Sequence, residues 1–229
     1  MINTPKIYKI RIVFTVAGVW DHKRIMAVLR EMVLASGLPF EPAKINKNWP
    51  RLAYGPVLGY GQRSLGEWAD LYFSAPVSQA EAQDRLTASA PDGVCVLRVR
   101  RVPYALPSVN QLAEVVQYSA QGDFLSYHPT RTVEEFFKAA HVYVAVEGPN
   151  GMTLQRDVKP FIDSVRQPQP QQLKLLLQKQ GDQWIKPEEV VAAWLQVAVP
   201  AGAEFALPGI IFTREALFWR DSNQCLHAL

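Results

Sequence analysis

Four glycines packed between two strands constrain this chain more than any other feature. In WPRLAYGPVLGYGQRSLGEWAD, residues 49–70, Gly55, Gly59, Gly61 and Gly66 separate a short apolar strand at 51–54 from an alternating strand at 67–73. Glycine serves where the backbone takes positive φ or passes close to another group. Around this block the first half reads strand–helix–strand–strand–helix–strand. The opening strand, 8–15, alternates, with Tyr8, Ile10, Ile12 and Phe14 on one side. A helix follows over 22–36, capped by Asp21, with Trp20 stapled onto Ile25. Ile25, Val28, Leu29, Met32 and Val33 form its apolar stripe, and Gly37 and Pro39 stop it. A second helix begins at Ser78, which pairs with Glu81 as a capping box, and a strand covers 94–102. This order predicts a ferredoxin-like βαββαβ unit.

The second half repeats the theme with additions. Strands are expected at 114–120, 142–146, 152–157, 173–179 and 210–219. One helix is expected over 133–140 behind a Thr132–Glu135 capping box, and another opens at Pro187. Pro149-Asn150-Gly151 signals a hairpin turn, and the Pro/Gln-rich stretch 167–172 a polar loop. A two-proline linker covers 103–108. The expected fold is therefore α+β: two tandem ferredoxin-like modules with antiparallel sheets, at 1–106 and 107–229.

Charge is uneven between these halves. Residues 1–107 carry 14 Lys/Arg against 8 Asp/Glu, or +6, and residues 108–229 carry 10 against 13, or −3. A basic half suggests a polyanionic or acidic partner, or mutual attraction of the halves. Cys95 and Cys225 are too few for a disulfide framework, a three-cysteine iron–sulfur cluster or a four-cysteine zinc site. Cys95 is expected in the core and Cys225 at the surface. Lys6, Lys9 and Arg11 before IVFTVAGVW mimic a signal peptide, but the apolar run is short, broken by Thr15, and alternates as a strand. No apolar run reaches the roughly 18 residues of a membrane span. A cytoplasmic protein with no membrane partner is expected.

Alternation assigns functions to the faces of the first sheet. Ile10, Ile12, Phe14, Ala69, Leu71, Phe73, Leu97 and Val99 are expected on the helix side. Lys9, Arg11, Arg98 and Arg100 then share the opposite face with Trp68 and Tyr72. Cations that meet phosphates beside flat rings that stack bases are how sheet platforms hold single-stranded RNA. Asp70 on the same face opposes this, and the alternative is that the face docks on the second module. A second candidate is an anion cradle of Arg51, Arg63, Gly59 and Gly61. It has neither the GKS/GKT of a P-loop nor a Rossmann fingerprint.

Several ordered segments carry a resemblance. They are His22 at the helix start, SGLPF (36–40), PRLAYG (50–55), GEWAD (66–70), PDGVCVLRVRRVP (91–103), PSVNQL (107–112) and, more weakly, KPEEVVAAW (186–194). In these the chain resembles the uncharacterised radical SAM-linked protein family. Members of that family are encoded beside, or fused to, a radical SAM protein with a cobalamin-binding-like region. The resemblance implies a helper to a radical SAM enzyme, bound to that partner, to RNA, or to both. Two positions depart from the family pattern: Arg24 stands where an acidic residue is usual, and Trp49 where histidine is frequent.

His22 is the weak catalytic candidate. A helix-start histidine in tandem ferredoxin-like modules is similar to the Cas6-like endoribonucleases, where it works as acid or base without metal. The glycine-rich loop of those enzymes has no counterpart between Trp194 and Ile210. His128, His141 and His227 lie in a loop, at a helix end and in the tail. No histidine or cysteine spacing predicts a metal, and no cofactor is expected. The readings are an accessory protein that binds RNA or a radical SAM partner, a metal-independent endoribonuclease, or a purely structural interaction module.

Overall fold

The computed structural model describes residues 6–18, 20–59, 61–147, 152–200 and 205–229. The architecture is mixed α+β with antiparallel sheets. Two compact units emerge. The first comprises Met1–Val57 and Ser64–Ala113, the second Leu58–Arg63 and Glu114–Leu229. Leu58–Arg63, with Gly59 and Gly61, thus belongs to a different unit from the strands that flank the block, while Gly55 and Gly66 stay in unit 1.

Unit 1 contains β1 (Tyr8–Val16), α1 (His22–Ala35), β2 (Leu52–Tyr54), β4 (Glu67–Phe73), α2 (Gln79–Ala88), β5 (Val94–Val102) and a short α3 (Val109–Leu112). A two-residue strand, β3 (Arg63–Ser64), marks the unit boundary. The sheet order is β2-β4-β1-β5. Asp21 caps α1 by accepting the Arg24 amide at 2.7 Å, and Ser78 caps α2 through the Glu81 amide at 3.1 Å. Ile10, Ile12 and Phe14 of β1 meet Ile25, Leu29, Met32 and Val33 of α1 and Ala82 and Leu86 of α2 in one core.

The expected position of Leu97 is corrected. Val13 faces Arg98 across the β1–β5 ladder, whereas Phe14 faces Val96, so Leu97 is the additional residue of a β-bulge. Leu97 is half-exposed, and Val96 takes its place in the core beside Val99. The same shift turns Cys95 outward, against the expectation of a core thiol. A period-2 reading cannot register one inserted residue, because everything beyond it changes face.

Unit 2 contains β6 (Val115–Gly122), α4 (Val133–Phe137), β7 (Tyr143–Glu147), β8 (Thr153–Asp157), β9 (Ile162–Gln169), β10 (Gln172–Gln178), α5 (Pro187–Leu195), β11 (Ile210–Arg220) and β12 (Leu226–Ala228). The main sheet runs β12-β11-β6-β10-β9, and β7 and β8 form a separate two-stranded sheet. Val116, Tyr118 and Ala120 of β6 pair with Leu177, Leu175 and Leu173 of β10, which gives one buried face. Every residue of α5 is buried.

Two differences from expectation stand out. The stretch read as a loop at 167–172 is the tip of the β9–β10 hairpin, where Gln172 pairs with Gln169. β9 is polar and contains Pro168, and an edge strand tolerates a proline because one row of its amides needs no partner. The expected helix over 133–140 ends at Phe137. The Pro149-Asn150-Gly151 turn lies outside the described residues.

The main sheets share an order. In unit 1 the strands β1, β2, β4 and β5 lie second-third-first-fourth. In unit 2 the strands β6, β9, β10 and β11 do the same, with β12 added beyond β11.

Candidate functional site

The register of unit 1 places the six candidate nucleic-acid residues on the sheet face away from α1 and α2. Lys9 lies opposite Tyr72, Arg11 opposite Asp70 and Arg100, and Val13 between Trp68 and Arg98. Their exposure then divides them. Arg98 and Arg100 on the outer strand are exposed, while Lys9, Arg11, Trp68 and Tyr72 are buried.

The segment after β5 returns over this face. Lys9 Nζ donates to the Leu106 carbonyl, and Arg11 Nη2 donates to the Pro107 carbonyl at 3.2 Å. Arg11 also grips Asp70 with two bonds, Nε to Oδ1 at 2.7 Å and Nη2 to Oδ2 at 3.0 Å. The Val109 amide at the start of α3 donates to Asp70 Oδ2 at 2.9 Å. Asp70, which opposed the RNA reading in sequence, is therefore the anchor that pins the linker. A bidentate pair with every oxygen occupied is what permits full burial of two charges. Burial holds the Lys9 amine below its ordinary value, with Arg11 and Arg51 acting in the same direction and Asp70 opposing.

An accessible group forms at the ends of β1 and β5. A pocket of about 400 Å³ is lined by Lys6, Tyr8, Lys9, Arg101 and Tyr104, with Ile7, Val102 and Pro103. The Lys6 amine and the Arg101 guanidinium lie 5.9 and 5.5 Å from the centre of the Tyr8 ring. Tyr104 meets Tyr72 edge-on at 6.2 Å, and the Arg51 guanidinium sits 4.3 Å over Tyr72 and 5.8 Å from the centre of Tyr104. Lys6, Tyr8, Arg101 and Tyr104 are missed by the alternation argument. Arg101 and Tyr104 come at the end of the RVRRVPY run, and only the strand ends show that they converge with the start of β1.

The four residues of the expected anion cradle are divided between the two units. Arg51 packs on Tyr72 and Tyr104 in unit 1, whereas Gly59, Gly61 and Arg63 belong to unit 2. Within unit 2 the Gly59 amide donates to Gln62 Oε1 at 3.0 Å. Gln62 Nε2 in turn donates to both carboxylate oxygens of Glu188, at 2.8 and 2.9 Å. Burial pushes Glu188 up to about 7, against the opposing effect of the Gln62 bond.

His22, Tyr54 and Glu67, drawn from three of the resemblance motifs, gather at the start of α1. The His22 and Tyr54 rings lie 5.1 Å apart, and the Tyr54 hydroxyl donates to the buried Glu67 carboxylate. His22 Nδ1 is buried with no hydrogen-bond partner, and burial holds the imidazole below its ordinary value. The two departing positions are stacked: Arg24 over Trp20 at 4.3 Å and Arg30 over Trp49 at 4.5 Å. Among the described residues, no group of three or more His, Cys, Asp or Glu side chains could hold a metal. No helix there is long and apolar enough to cross a membrane.

The family comparison agrees with where these motifs fall. A model for the bacterial family described as "Uncharacterized protein conserved in bacteria (DUF2344)" matches residues 22–187. The chain belongs to this family. The match begins at His22 and takes in Tyr54, Glu67, Asp70, the glycine loop and the start of α5. No curated protein matches the chain.

Proposed function

We propose that this DUF2344 protein is a non-catalytic, cytoplasmic accessory protein of a radical SAM system that binds single-stranded RNA through unit 1. The observation that carries the RNA part is the pocket at the ends of β1 and β5. Two exposed cations, Lys6 and Arg101, and two tyrosines, Tyr8 and Tyr104, line a space of about 400 Å³ together with the buried Lys9. Phosphates meet the amine and guanidinium groups while a base stacks on a tyrosine. Arg98 and Arg100 are also exposed on the outer strand, on the face opposite to that of Arg101. Both units are read as ferredoxin-like modules, the second enlarged by the β7–β8 hairpin and by β12. The repeated strand order supports this.

An accessory role is favoured over the endoribonuclease reading by the surroundings of His22. It is a single imidazole, depressed by burial, and the neighbouring Tyr54 hydroxyl already donates to Glu67. In-line attack by a 2′-hydroxyl calls for an acid and a base together.

Fluorescence anisotropy with a labelled single-stranded RNA at two salt concentrations tests the binding. Two phosphate contacts give a log–log salt slope of about −1.4, at about 0.7 per contact on single strands. Arg101→Ala is expected to weaken binding several-fold and flatten the slope. Affinity without salt dependence, or unchanged by that substitution, removes the pocket from the reading. Co-purification with the neighbouring radical SAM protein tests the partner, and His22→Ala with an RNA-cleavage assay in chelator tests the enzyme alternative.

A further inference from the structure

The polar face of the unit 2 sheet carries a charge arrangement that its own residues leave incomplete. Ser119 of β6 pairs with Lys174 of β10, and Lys174 with Arg166 of β9. Beside them Gln117 pairs with Leu176, and Leu176 with Ser164. These residues share one face, opposite the buried row of Leu173, Leu175 and Leu177. Lys174 and Arg166 are thus two cations set directly across from each other, which costs stability in an antiparallel pair.

One of the two cations is compensated. β11 inserts Glu215 as the additional residue of a bulge between Arg214 and Ala216. Its carboxylate accepts from Lys174 Nζ at one oxygen and from Gln117 Nε2 at the other, the latter at 2.6 Å. Burial acts to raise Glu215, but the bonds from Lys174, Gln117 and Ser119 prevail and hold the carboxyl below its ordinary value. Arg166 is exposed, and among the described residues no carboxylate pairs with it. A cavity of about 370 Å³ lies at this array. Arg166, Lys174, Gln117 and Ser164 bring charge and hydrogen-bonding groups to its lining, and Leu176 and Pro168 bring apolar surface. That volume falls within the range of small-ligand sites.

We propose that this cavity binds a small organic anion, with its carboxylate or phosphate between Arg166 and Lys174 and its apolar body against Leu176 and Pro168.

The charges favour that ligand. An oxyanion between the two cations turns their repulsion into attraction, and the guanidinium offers paired donors that match a carboxylate or a phosphate. Glu215 holds Lys174 and Gln117 in place, so part of the ordering cost is met before the ligand arrives. Glu215 also cancels one of the two positive charges. The site therefore suits a single anionic group rather than the row of phosphates along a nucleic acid. This inference does not depend on the RNA reading of unit 1.

Amide NMR of the full chain, titrated separately with phenyl phosphate, benzoate and phenol, tests it. At least one of the anions is expected to saturate with a dissociation constant of about 1 mM or below. The amides of Ser164, Arg166, Lys174 and Leu176 should move, and the tighter of the two anions identifies the headgroup. Phenol shares the ring but not the charge and should leave them unmoved. Arg166→Gln should weaken the anion by about tenfold or more. Because Arg166 is exposed and faces a like charge, this variant should melt no lower than wild type without ligand, so a lost response reports the site and not the fold. The wild-type titrations against phenol stand without the variant, should it fold poorly. Shifts that do not saturate with either anion, an equal response to phenol, or binding unchanged in Arg166→Gln overturn the proposal. So does a single-stranded RNA that moves the same amides at lower concentration than either anion, since the face would then be a nucleic-acid surface.

Discussion

Asp70 in unit 1 and Glu188 in unit 2 are both withdrawn from water, at 0% and 3% exposure, yet their surroundings differ in kind. Asp70 receives two bonds from the Arg11 guanidinium and one from the Val109 amide. Glu188 receives two from one neutral amide side chain and one from its own backbone amide. The first carboxylate is matched by a charge and ties the linker segment to the sheet. The second is hydrogen-bonded by neutral donors, and burial pushes it up to about 7. Burial alone therefore does not say what a carboxyl does; the charge of its donor decides.

The largest effect should come from breaking the matched pair. Asp70→Ala strands Arg11 and frees the Val109 amide, and is expected to cost about 3–5 kcal/mol by denaturant midpoint. Next is the unmatched carboxyl. Its folded value of about 7 lies above the ordinary 4.5, so wild-type stability should fall as pH rises through that window. The gap corresponds to roughly 3 kcal/mol, an upper figure. Glu188→Gln should remove this decline and be the more stable protein at pH 8, as read by thermal melts across pH. Stability of wild type that rises between pH 5 and 7 where that of Glu188→Gln does not would refute the contrast. Tyr54→Phe removes one donor from buried Glu67 and should cost about 1–2 kcal/mol. At the β5 bulge, Val96→Ala should cost about 2 kcal/mol and Leu97→Ala under about 0.5, since only the former faces the core. Equal costs there would mean that the bulge is misplaced.

Much of unit 1 was readable from pattern. Asp21 and Ser78 signalled helix starts that the structure bears out, and the alternation of β1 assigned Ile10, Ile12 and Phe14 to the core. These are local signals, set by caps and by a period of two. β9 escaped because its Gln and Pro residues look like a loop, and an edge strand with few apolar residues has little pattern to show. The six face residues were grouped correctly by alternation. Alternation does not report what covers a face, so the linker bonds to Lys9, Arg11 and Asp70 were invisible.

Local chemistry in the chain was enough to determine the caps, the strand alternation, the glycine-rich block and the family motifs. Each depends on neighbours a few residues apart. Tertiary structure alone decided which buried carboxyl meets Arg11 and which meets Gln62, across separations of 59 and 126 residues. It also decided that Leu58–Arg63 joins unit 2. Such pairings are selected by the free energy of burying polar groups together, a quantity that exists only once distant segments share one interior.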